Sequence, residues 1–151
     1  MNLLKSKVDL SEDQACNILE QLLLTLDYMH KRNIVHRDIK LDNILINKID
    51  DTDHIAVKIA DFGLSAFLPE DPAQGLNYLC GTPSYMAPEM LAEGSSYREK
   101  ADIFSAGSIF FNILTRRPLF SKPNMEAVLK MNKDCDLSEV SYCIAERSQS
   151  S

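Results

Sequence analysis

The stretch that decides the fold is His36-Arg37-Asp38-Ile39-Lys40-Leu41-Asp42-Asn43, and two short motifs follow it, Asp61-Phe62-Gly63 and Ala87-Pro88-Glu89. Asp38 can orient a hydroxyl group or accept its proton, and Lys40 extends to the same side of an extended loop. Asn43 and Asp61 supply the hard oxygen ligands that Mg²⁺ prefers. Gly63 is predicted to let the chain turn sharply after Asp61. Together these groups match what phosphoryl transfer requires of a protein.

The composition indicates one domain in a reducing compartment. The 151 residues suffice for a sizeable core, and the contents of 45% hydrophobic and 25% charged residues are ordinary. The net charge of −6 argues against nucleic acid as the main partner. The sequence has no membrane-length apolar run, no secretory signal and no Cys-x-x-Cys pair. We therefore predict free thiols, no membrane partner and a cytoplasmic or nuclear location.

The hydrophobic spacing predicts a mainly helical chain. Ser11-Glu12-Asp13-Gln14 is typical of a capping box, and apolar residues from Ala15 to Met29 then recur at helical spacing. Asn33 is predicted to end this helix in the left-handed conformation. Two further helices are predicted, from Lys100 to Leu114 and from Met125 to Met131.

Two short apolar runs, 44–46 and 55–59, predict strands that form a hairpin directly after the catalytic loop, which we define as residues 36–43. Residues 64–86 contain several glycines and prolines, and they predict a long loop without regular structure.

These motifs, in this order, resemble the catalytic half of a eukaryotic-type protein kinase of the serine/threonine class. The resemblance covers about residues 3–133 and implies an incomplete, mainly α kinase C-terminal lobe with a small β-hairpin by the catalytic loop. We predict a partial kinase domain over residues 1–134 and a divergent, frayed tail over 135–151. The style of Asp61-Phe62-Gly63-Leu64-Ser65 favours the calcium- and calmodulin-dependent branch.

The resemblance implies ATP and Mg²⁺ as cofactors. Asp38, Lys40 and Asn43 match the catalytic residues of the family, and Lys40 is expected to neutralise the γ-phosphate. Asn43 and Asp61 match the two Mg²⁺ ligands, and Lys40, Asn43, Asp61 and Leu45 form the expected nucleotide-binding set.

Residues 81–89 resemble the loop on which a serine/threonine kinase docks its protein substrate. Thr82, Pro83 and Tyr85 are the expected docking residues. The resemblance also implies that the Thr82 hydroxyl forms hydrogen bonds with the two catalytic side chains, Asp38 and Lys40.

The resemblance gives other positions structural roles. His36 and Phe62 are expected to stack in a hydrophobic column, and Asp102 is expected to tether the backbone of the catalytic loop. The whole structural set is His36, Arg37, Phe62, Gly63, Glu89 and Asp102. His30 and His54 are predicted to be solvated surface residues.

The sequence departs from the family at both ends. No glycine precedes His36, so the Gly-rich loop and the ATP-anchoring Lys of an N-terminal lobe have no counterpart here. The chain is expected to supply only the floor of a nucleotide pocket, and a partner kinase or the missing lobe is a candidate partner. The stretch after about residue 133 does not resemble the closing helices, which carry the Arg partner of Glu89. We therefore expect Glu89 to be an unpaired, partly buried charge.

The activation segment also departs from the family pattern. Residues 66–81 contain no Ser or Thr, and Tyr78 lies where the family often has a phosphorylated Thr. Arg37 would normally pair with that phosphate. Three alternatives stay open: a loop placed permanently with help from Glu70 or Asp71, modification of Tyr78, or disorder.

Three functions agree with the sequence. The first is a protein serine/threonine kinase of which this chain is a fragment, because every catalytic position in this half is intact. The second is a non-catalytic binding module or decoy that docks kinase substrates or pairs with a full kinase. The third is a truncated remnant. The 151 residues alone are predicted to be inactive.

Overall fold

The computed structural model of the chain describes residues 10–48, 55–94, 96–138 and 140–141. Within these ranges the chain forms three α-helices and four short β-strands: α1 (Glu12–His30), β1 (Ile34–Val35), β2 (Ile44–Lys48), β3 (Ile55–Ile59), β4 (Ala66–Phe67), α2 (Lys100–Thr115) and α3 (Met125–Lys133). Short 3₁₀ turns cover Leu41–Asn43 and Pro88–Met90. The predicted mainly α architecture with a small hairpin by the catalytic loop is confirmed.

Helix α1 begins and ends where the sequence predicts. The Ser11 hydroxyl accepts a hydrogen bond from the backbone N–H of Gln14 at 3.1 Å, and the Gln14 side chain accepts one from the Ser11 N–H at 3.0 Å. These two bonds satisfy free donors at the helix start. Beyond the helix, Asn33 has the predicted left-handed conformation, with φ of 57°.

One hydrophobic cluster joins α1, the hairpin and α2. It contains the buried face of α1, residues from both hairpin strands, and two residues of the catalytic loop, Ile39 and Leu41. The Gln21 side chain seals α1 to β3, since it donates to the carbonyl of Ile55 at 2.6 Å and accepts from the N–H of Val57 at 3.1 Å. The catalytic loop is therefore anchored in the core by its apolar residues.

The strands form two antiparallel pairs. In the predicted hairpin, β2 pairs with β3 in a register that sets Ile44 opposite Ile59. The pairing of β1 with β4 was not predicted, and it sets Val35 opposite Ala66. Each of these strands has only two residues, which is too short to produce an alternating pattern. The β1–β4 pair connects the segment before the catalytic loop to the start of the activation segment.

The remaining helices complete the described lobe. Helix α3 begins at Asn124, whose side chain accepts from the N–H of Ala127 at 2.9 Å, and it ends two residues beyond the predicted end.

Cys16, Cys80 and Cys135 are free thiols, whereas Cys143 and His54 lie outside the described residues. None of the helices in the described ranges is long and apolar enough to cross a membrane.

Candidate active site

The catalytic loop is fixed by Asp102, in the first turn of α2. The carboxylate is 1% exposed, and its two oxygens accept the backbone N–H groups of His36 at 2.8 Å and Arg37 at 2.9 Å. The tether that the resemblance implied is present. Arg37 has φ of 69°, a left-handed conformation that costs a non-glycine residue about 1–3 kcal/mol. The bonds to Asp102 therefore hold the backbone in a shape that it would not otherwise favour.

The prediction that His30 is a solvated surface residue is wrong. The Nε2 atom of His30 lies 2.9 Å from Oδ2 of Asp102, and its side chain is largely buried. The sequence carried a signal for this position, because His30 continues the i, i+4 stripe of Leu22 and Leu26 on the buried face of α1. His30 thus supports, from α1, the carboxylate that holds the catalytic loop.

Asp38, Lys40 and Thr82 form a closed triangle. The ammonium of Lys40 lies 2.7 Å from Oδ2 of Asp38, and the hydroxyl of Thr82 donates to Oδ1 of Asp38 at 2.7 Å. The same hydroxyl accepts from Lys40 at 3.1 Å. These are the contacts predicted for Thr82. Both carboxylate oxygens of Asp38 are therefore held in fixed directions by groups 2 and 44 residues away.

Asn43 is buried directly beside Asp38. Its Nδ2 atom donates to the backbone carbonyl of Asp38 at 2.9 Å and lies 3.3 Å from its carboxylate. Because the nitrogen is committed to Asp38, the oxygen is the end of the amide left for a metal ion. The backbone carbonyl of Asn43 accepts from the N–H of Ala60 at 2.9 Å, and this bond brings Asp61 next to the catalytic loop.

The metal side of the site contains the turn predicted at Gly63, since the N–H of Ser65 donates to the carbonyl of Phe62 at 3.0 Å. The left-handed residue is Asp61, with φ of 62°, and Gly63 itself does not have a positive φ. Glycine is still favoured at 63, because a Cβ there would lie 3.1 Å from Oδ1 of Asp61. The same oxygen accepts from the N–H of Gly63 at 3.2 Å.

The donor set fits Mg²⁺ better than a metal that needs a full protein cage. Asn43 and Asp61 are oxygen donors, and Mg²⁺ is commonly held by one or two such side chains together with substrate phosphates. Within the described ranges, no group of three or more His, Cys, Asp or Glu residues is arranged to hold a metal ion. Leu45 lies on the open face of the hairpin, partly exposed, between the buried Ile44 and Ile46. Its assignment to the nucleotide floor stays a prediction.

His36 is a neutral, structural residue. It is fully buried, and burial lowers its pKa, although the charges of Asp102, Asp38 and Asp61 and the carbonyl of Ala60 oppose that shift. Its Nδ1 atom accepts from the N–H of Asp38 at 3.3 Å, so the proton lies on Nε2, which is 3.3 Å from the Ala60 carbonyl. The imidazole therefore links the catalytic loop to the residue before Asp61.

The predicted contact between His36 and Phe62 is present, but the geometry is edge to face. The ring centroids are 5.0 Å apart at an interplanar angle of 60°. Phe62 is 52% exposed, so the described residues enclose only one side of this ring. The contact ties the metal side of the site to the buried imidazole.

The docking segment, which we define as residues 82–87, is held mainly by its backbone. The carbonyl of Tyr85 accepts from the hydroxyl of Ser105 on α2 at 2.6 Å. The Tyr85 side chain packs against the hydrophobic cluster, and burial raises the pKa of its phenol. Thr82, Pro83 and Tyr85 are all half-buried, and the ring of Tyr85 is the one that packs against the hydrophobic cluster.

Gly81 precedes this segment and can only be glycine. It has φ of 108°, and a Cβ there would lie 2.5 Å from the carbonyl oxygen of Arg37. The close approach of two backbones brings the docking segment against the catalytic loop.

Arg37 binds protein groups on both sides of the activation segment, residues 66–81. Its Nε donates to the carbonyl of Leu64 at 2.5 Å, and NH1 lies 3.5 Å from the hydroxyl of Tyr97. That hydroxyl donates to the carbonyl of Tyr78 at 2.6 Å, while the Tyr78 ring is exposed. Tyr97 was not identified from the sequence. Burial raises the pKa of its phenol, and Arg37 opposes the shift.

Two acidic residues, Asp71 within this segment and Glu89 beyond it, have different surroundings. The carboxylate of Asp71 accepts from the N–H of Ala73 at 2.9 Å and from the side chain of Gln74 at 3.1 Å, so it stabilises its own turn. Glu89 was predicted to be an unpaired, partly buried charge, and this prediction is wrong. The Glu89 side chain is exposed, and it interacts with another group. The 3₁₀ turn Pro88–Met90 buries the side chain of Met90 and leaves that of Glu89 at the surface.

A partly buried carboxylate–lysine–hydroxyl triangle thus lies beside two oxygen donors of the type that Mg²⁺ prefers. Among known proteins, the family model described as "Protein kinase domain" matches residues 1–150. The chain belongs to the protein kinase family. The match extends past residue 134, and the predicted boundary of the domain at that position stays a prediction.

Its relatives include several kinds of serine/threonine kinase. The chain is 40% identical over 123 residues to CBL-interacting protein kinase 9 of Oryza sativa subsp. japonica, covering 81% of this chain and 26% of that protein. It is 42% identical over 124 residues to serine/threonine-protein kinase Nek6 of the same organism, covering 82% and 22%. A third relative is the liver/testis isoform of the phosphorylase b kinase gamma catalytic chain of Bos taurus, at 36% over 133 residues, covering 85% and 31%.

The chain spans about a quarter of the length of the curated relatives that it matches. The predicted family and serine/threonine class are confirmed by these matches. The branch within that class and the roles of the site residues stay predictions.

Proposed function

We propose that this site transfers the γ-phosphoryl group of Mg²⁺-ATP to a Ser or Thr hydroxyl of a protein substrate. The observation that carries the proposal is the triangle of Asp38, Lys40 and Thr82, with both 2.7 Å contacts made to one carboxylate. A carboxylate held in this way is prepared to orient a substrate hydroxyl without first reorganising.

Each remaining group has a task in that reaction. Asp38 accepts or orients the proton of the hydroxyl, and the ammonium of Lys40 balances negative charge beside it. Asn43 and Asp61 would hold Mg²⁺, which when bound neutralises charge on the phosphate oxygens. The neutral His36 bonds to both the catalytic loop and Ala60, and it thereby fixes the position of Asp38 and Lys40 relative to Asn43 and Asp61.

The preference for Ser and Thr over Tyr is supported by two observations. Lys40 occupies the position at which serine/threonine-type loops carry a Lys and tyrosine-type loops usually lack one. The names of the relatives agree, since Nek6 is named a serine/threonine-protein kinase.

A second candidate is a module that binds kinase substrates without phosphorylating them. It is favoured by the exposure of Asp61, Phe62 and Gly63, which contrasts with the secure hold on the docking segment. Because the docking segment is held in place while Asp61 and its neighbours are exposed, the chain is suited to bind a peptide even where it transfers no phosphoryl group.

The test is a transfer assay with Mg²⁺, γ-labelled ATP and three peptides that differ only in bearing Ser, Thr or Tyr. Both the 151-residue chain and the native protein captured from its own cells are assayed. We expect the native protein to label the Ser and Thr peptides and the 151-residue chain alone to label none, with about a 10²–10⁴-fold loss in the native protein that carries Asp38→Asn. Asp27→Asn, on the exposed face of α1, is the matched control and should keep full transfer.

Three results would change the proposal. Labelling that survives Asp38→Asn would place the activity in another protein or another site. Labelling of the Tyr peptide alone would overturn the serine/threonine assignment. Saturable binding of the Ser peptide, with no transfer by either preparation, would support the binding module instead.

A further inference from the structure

Helix α3 contributes one buried polar side chain to the docking segment. Asn132 is 0% exposed, and its Nδ2 atom lies 2.8 Å from the carbonyl oxygen of Pro83 and 2.8 Å from that of Met86. Carbonyl oxygens only accept hydrogen bonds, so the amide nitrogen must face them and both of its hydrogens are used. Asn132 therefore bridges two points of the segment that lie three residues apart.

The contacts of Asn132 continue to the candidate catalytic base. Between the bridged carbonyls, the N–H groups of Tyr85 and Met86 donate to the carbonyl of Thr82 at 2.9 and 3.2 Å, which closes the segment into a turn. The hydroxyl of Thr82 then donates to Asp38 at 2.7 Å. A shift of the turn would move the Thr82 hydroxyl relative to that carboxylate.

We propose that Asn132 is a positioning residue, which holds the docking segment where Thr82 meets Asp38 and where a substrate peptide would lie. The part that concerns the peptide rests on the proposed function, whereas the hold on the segment does not. Ser105 assists from α2 through the carbonyl of Tyr85, so two helices together hold three carbonyl groups of the segment, those of residues 83, 85 and 86.

Packing alone does not account for an asparagine here. The adjacent α3 residues Val128 and Met131 form an apolar cluster with Phe120. Among the described residues, Oδ1 of Asn132 is buried and has no hydrogen-bond partner, which is unfavourable for an acceptor. A leucine would fill the same space without that cost. The feature that a leucine lacks is the pair of N–H donors directed at the segment.

The first test uses the unmodified chain. We expect the side-chain amide hydrogens of Asn132 to exchange with solvent at least about tenfold more slowly than those of Asn124, measured by NMR, because both are hydrogen-bonded and buried. Asn124 is the internal comparison, since its Oδ1 atom caps α3 and its amide hydrogens lie at the surface. Equal exchange at the two side chains would overturn the proposal.

The second test compares Asn132→Leu with Asn124→Ala. Asn132→Leu keeps the shape and removes both donors, and we expect the backbone amides of Tyr85 and Met86 to exchange about 10- to 100-fold faster, with Leu22 in α1 unchanged. Asn124→Ala weakens α3 by its cap and should leave Tyr85 and Met86 protected. Equal acceleration at Leu22 and Met86 in Asn132→Leu would mean that the residue supports the fold as a whole, and the proposal would be wrong.

A kinetic measurement separates this proposal from the proposed function. With a Ser peptide and Mg²⁺-ATP, Asn132→Leu is expected to raise the KM for the peptide about fivefold or more and to leave the KM for ATP unchanged. An equal rise in both constants would overturn the positioning role. Absence of transfer by the unmodified native protein would count against the proposed function alone, since the exchange measurements decide the role of Asn132 by themselves.

Discussion

The two halves of the candidate site are stabilised in different ways. In the catalytic loop, His36, Asp38 and Asn43 are buried, and the backbone is bound by a carboxylate 65 residues away in α2. Residues 61–63 are all exposed, and the carboxylate of Asp61 accepts a hydrogen bond from a group only two residues later in the chain, the N–H of Gly63. The side that would orient a hydroxyl is thus fixed by long-range contacts, whereas the side that would hold a metal is fixed by local ones.

Each half contains one residue in the strained, left-handed backbone conformation, and the two halves differ most clearly in how that residue is supported. Arg37 and Asp61 have φ of 69° and 62°. Asp adopts this conformation more readily than most residues, and a local bond to Gly63 is enough to support it. Arg has no such advantage, so its strain has to be offset by the buried carboxylate of Asp102. Loss of that carboxylate should therefore affect the lobe far more than any change at Asp61.

The largest expected effect is that of Asp102→Asn. The amide oxygen of the variant can accept from only one of the backbone N–H groups of His36 and Arg37. The amide nitrogen, itself a donor, then faces the other N–H group. Two donors are then left without acceptors in a buried place, at a cost of about 2–4 kcal/mol in the free energy of unfolding. Urea denaturation followed by circular dichroism measures this loss.

Asp61→Asn is the matched control, because it makes the same chemical change at an exposed residue that tolerates the same φ. We expect a change within about 0.5 kcal/mol. Similar losses in the two variants would contradict the contrast between the two halves.

The next effect in size is that of Thr82→Val, which tests whether the docking segment belongs to the rigid half. The valine keeps the shape but removes the hydroxyl from the carboxylate of Asp38 and the ammonium of Lys40. The hydrogen bonds lost involve charged groups at a half-buried place, so we expect a loss of about 1–2 kcal/mol. Thr25→Val serves as the control.

Thr25 also donates its hydroxyl within the chain, to the carbonyl of Gln21 at 2.8 Å, but that bond lies within one helix. Such bonds contribute little to helix stability, so the control should change the free energy of unfolding by less than about 0.5 kcal/mol. Equal effects at positions 25 and 82 would show that the triangle adds no stability and that Asp38 is held by other groups.

The sequence predicted the elements that depend on local signals. The capping box at Ser11 and Gln14, the left-handed Asn33 and the start of α3 at Met125 were all correct, because each depends on residues within one helical turn. The motif resemblance added the Asp102 tether and the Thr82 contacts, which no local pattern contains.

Long-range contacts that no motif implies were missed. His30 and Asp102 are 72 residues apart, and Asn132 and Pro83 are 49 apart, so the sequence spacing does not identify the partner in either pair, although the helical stripe of α1 does predict a buried position at His30. The left-handed conformation of Asp61 was also not predicted, and the nearby N–H of Gly63 supports it by donating to the Asp61 carboxylate.

A smaller effect is expected from Phe62→Ala, which breaks the contact between the two halves. An aromatic pair contributes about 0.5–1.5 kcal/mol beyond burial, and the half-exposed position of this ring favours the lower end. Phe67→Ala, at a side chain that is 75% exposed, is the control and should be close to neutral. A double-mutant cycle with His36→Ala isolates the contact, and a coupling energy of zero would mean that the rings do not link the halves.

The smallest effect is a dependence of stability on pH that arises from His36. Because its pKa is lowered in the folded state, the unfolded chain binds the proton first as the pH falls below about 6.5. The stability that the neutral ring contributes is therefore complete above that pH and is lost toward the lower folded-state pKa. Urea denaturation at pH 7.5 and 5.5 should give a smaller difference in His36→Gln than in the unmodified chain, a comparison that subtracts every other titrating group.

The physical reason for this loss lies at Nδ1. In the neutral ring this atom accepts the N–H of Asp38, and a protonated ring would present a second donor to that N–H. Three carboxylates near the ring oppose the shift and keep the effect small. If the unmodified chain and His36→Gln lose the same stability between the two pH values, then the imidazole is not the buried neutral link between the catalytic loop and Ala60, and the two halves are joined by other contacts, among them the backbone bond from Ala60 to Asn43.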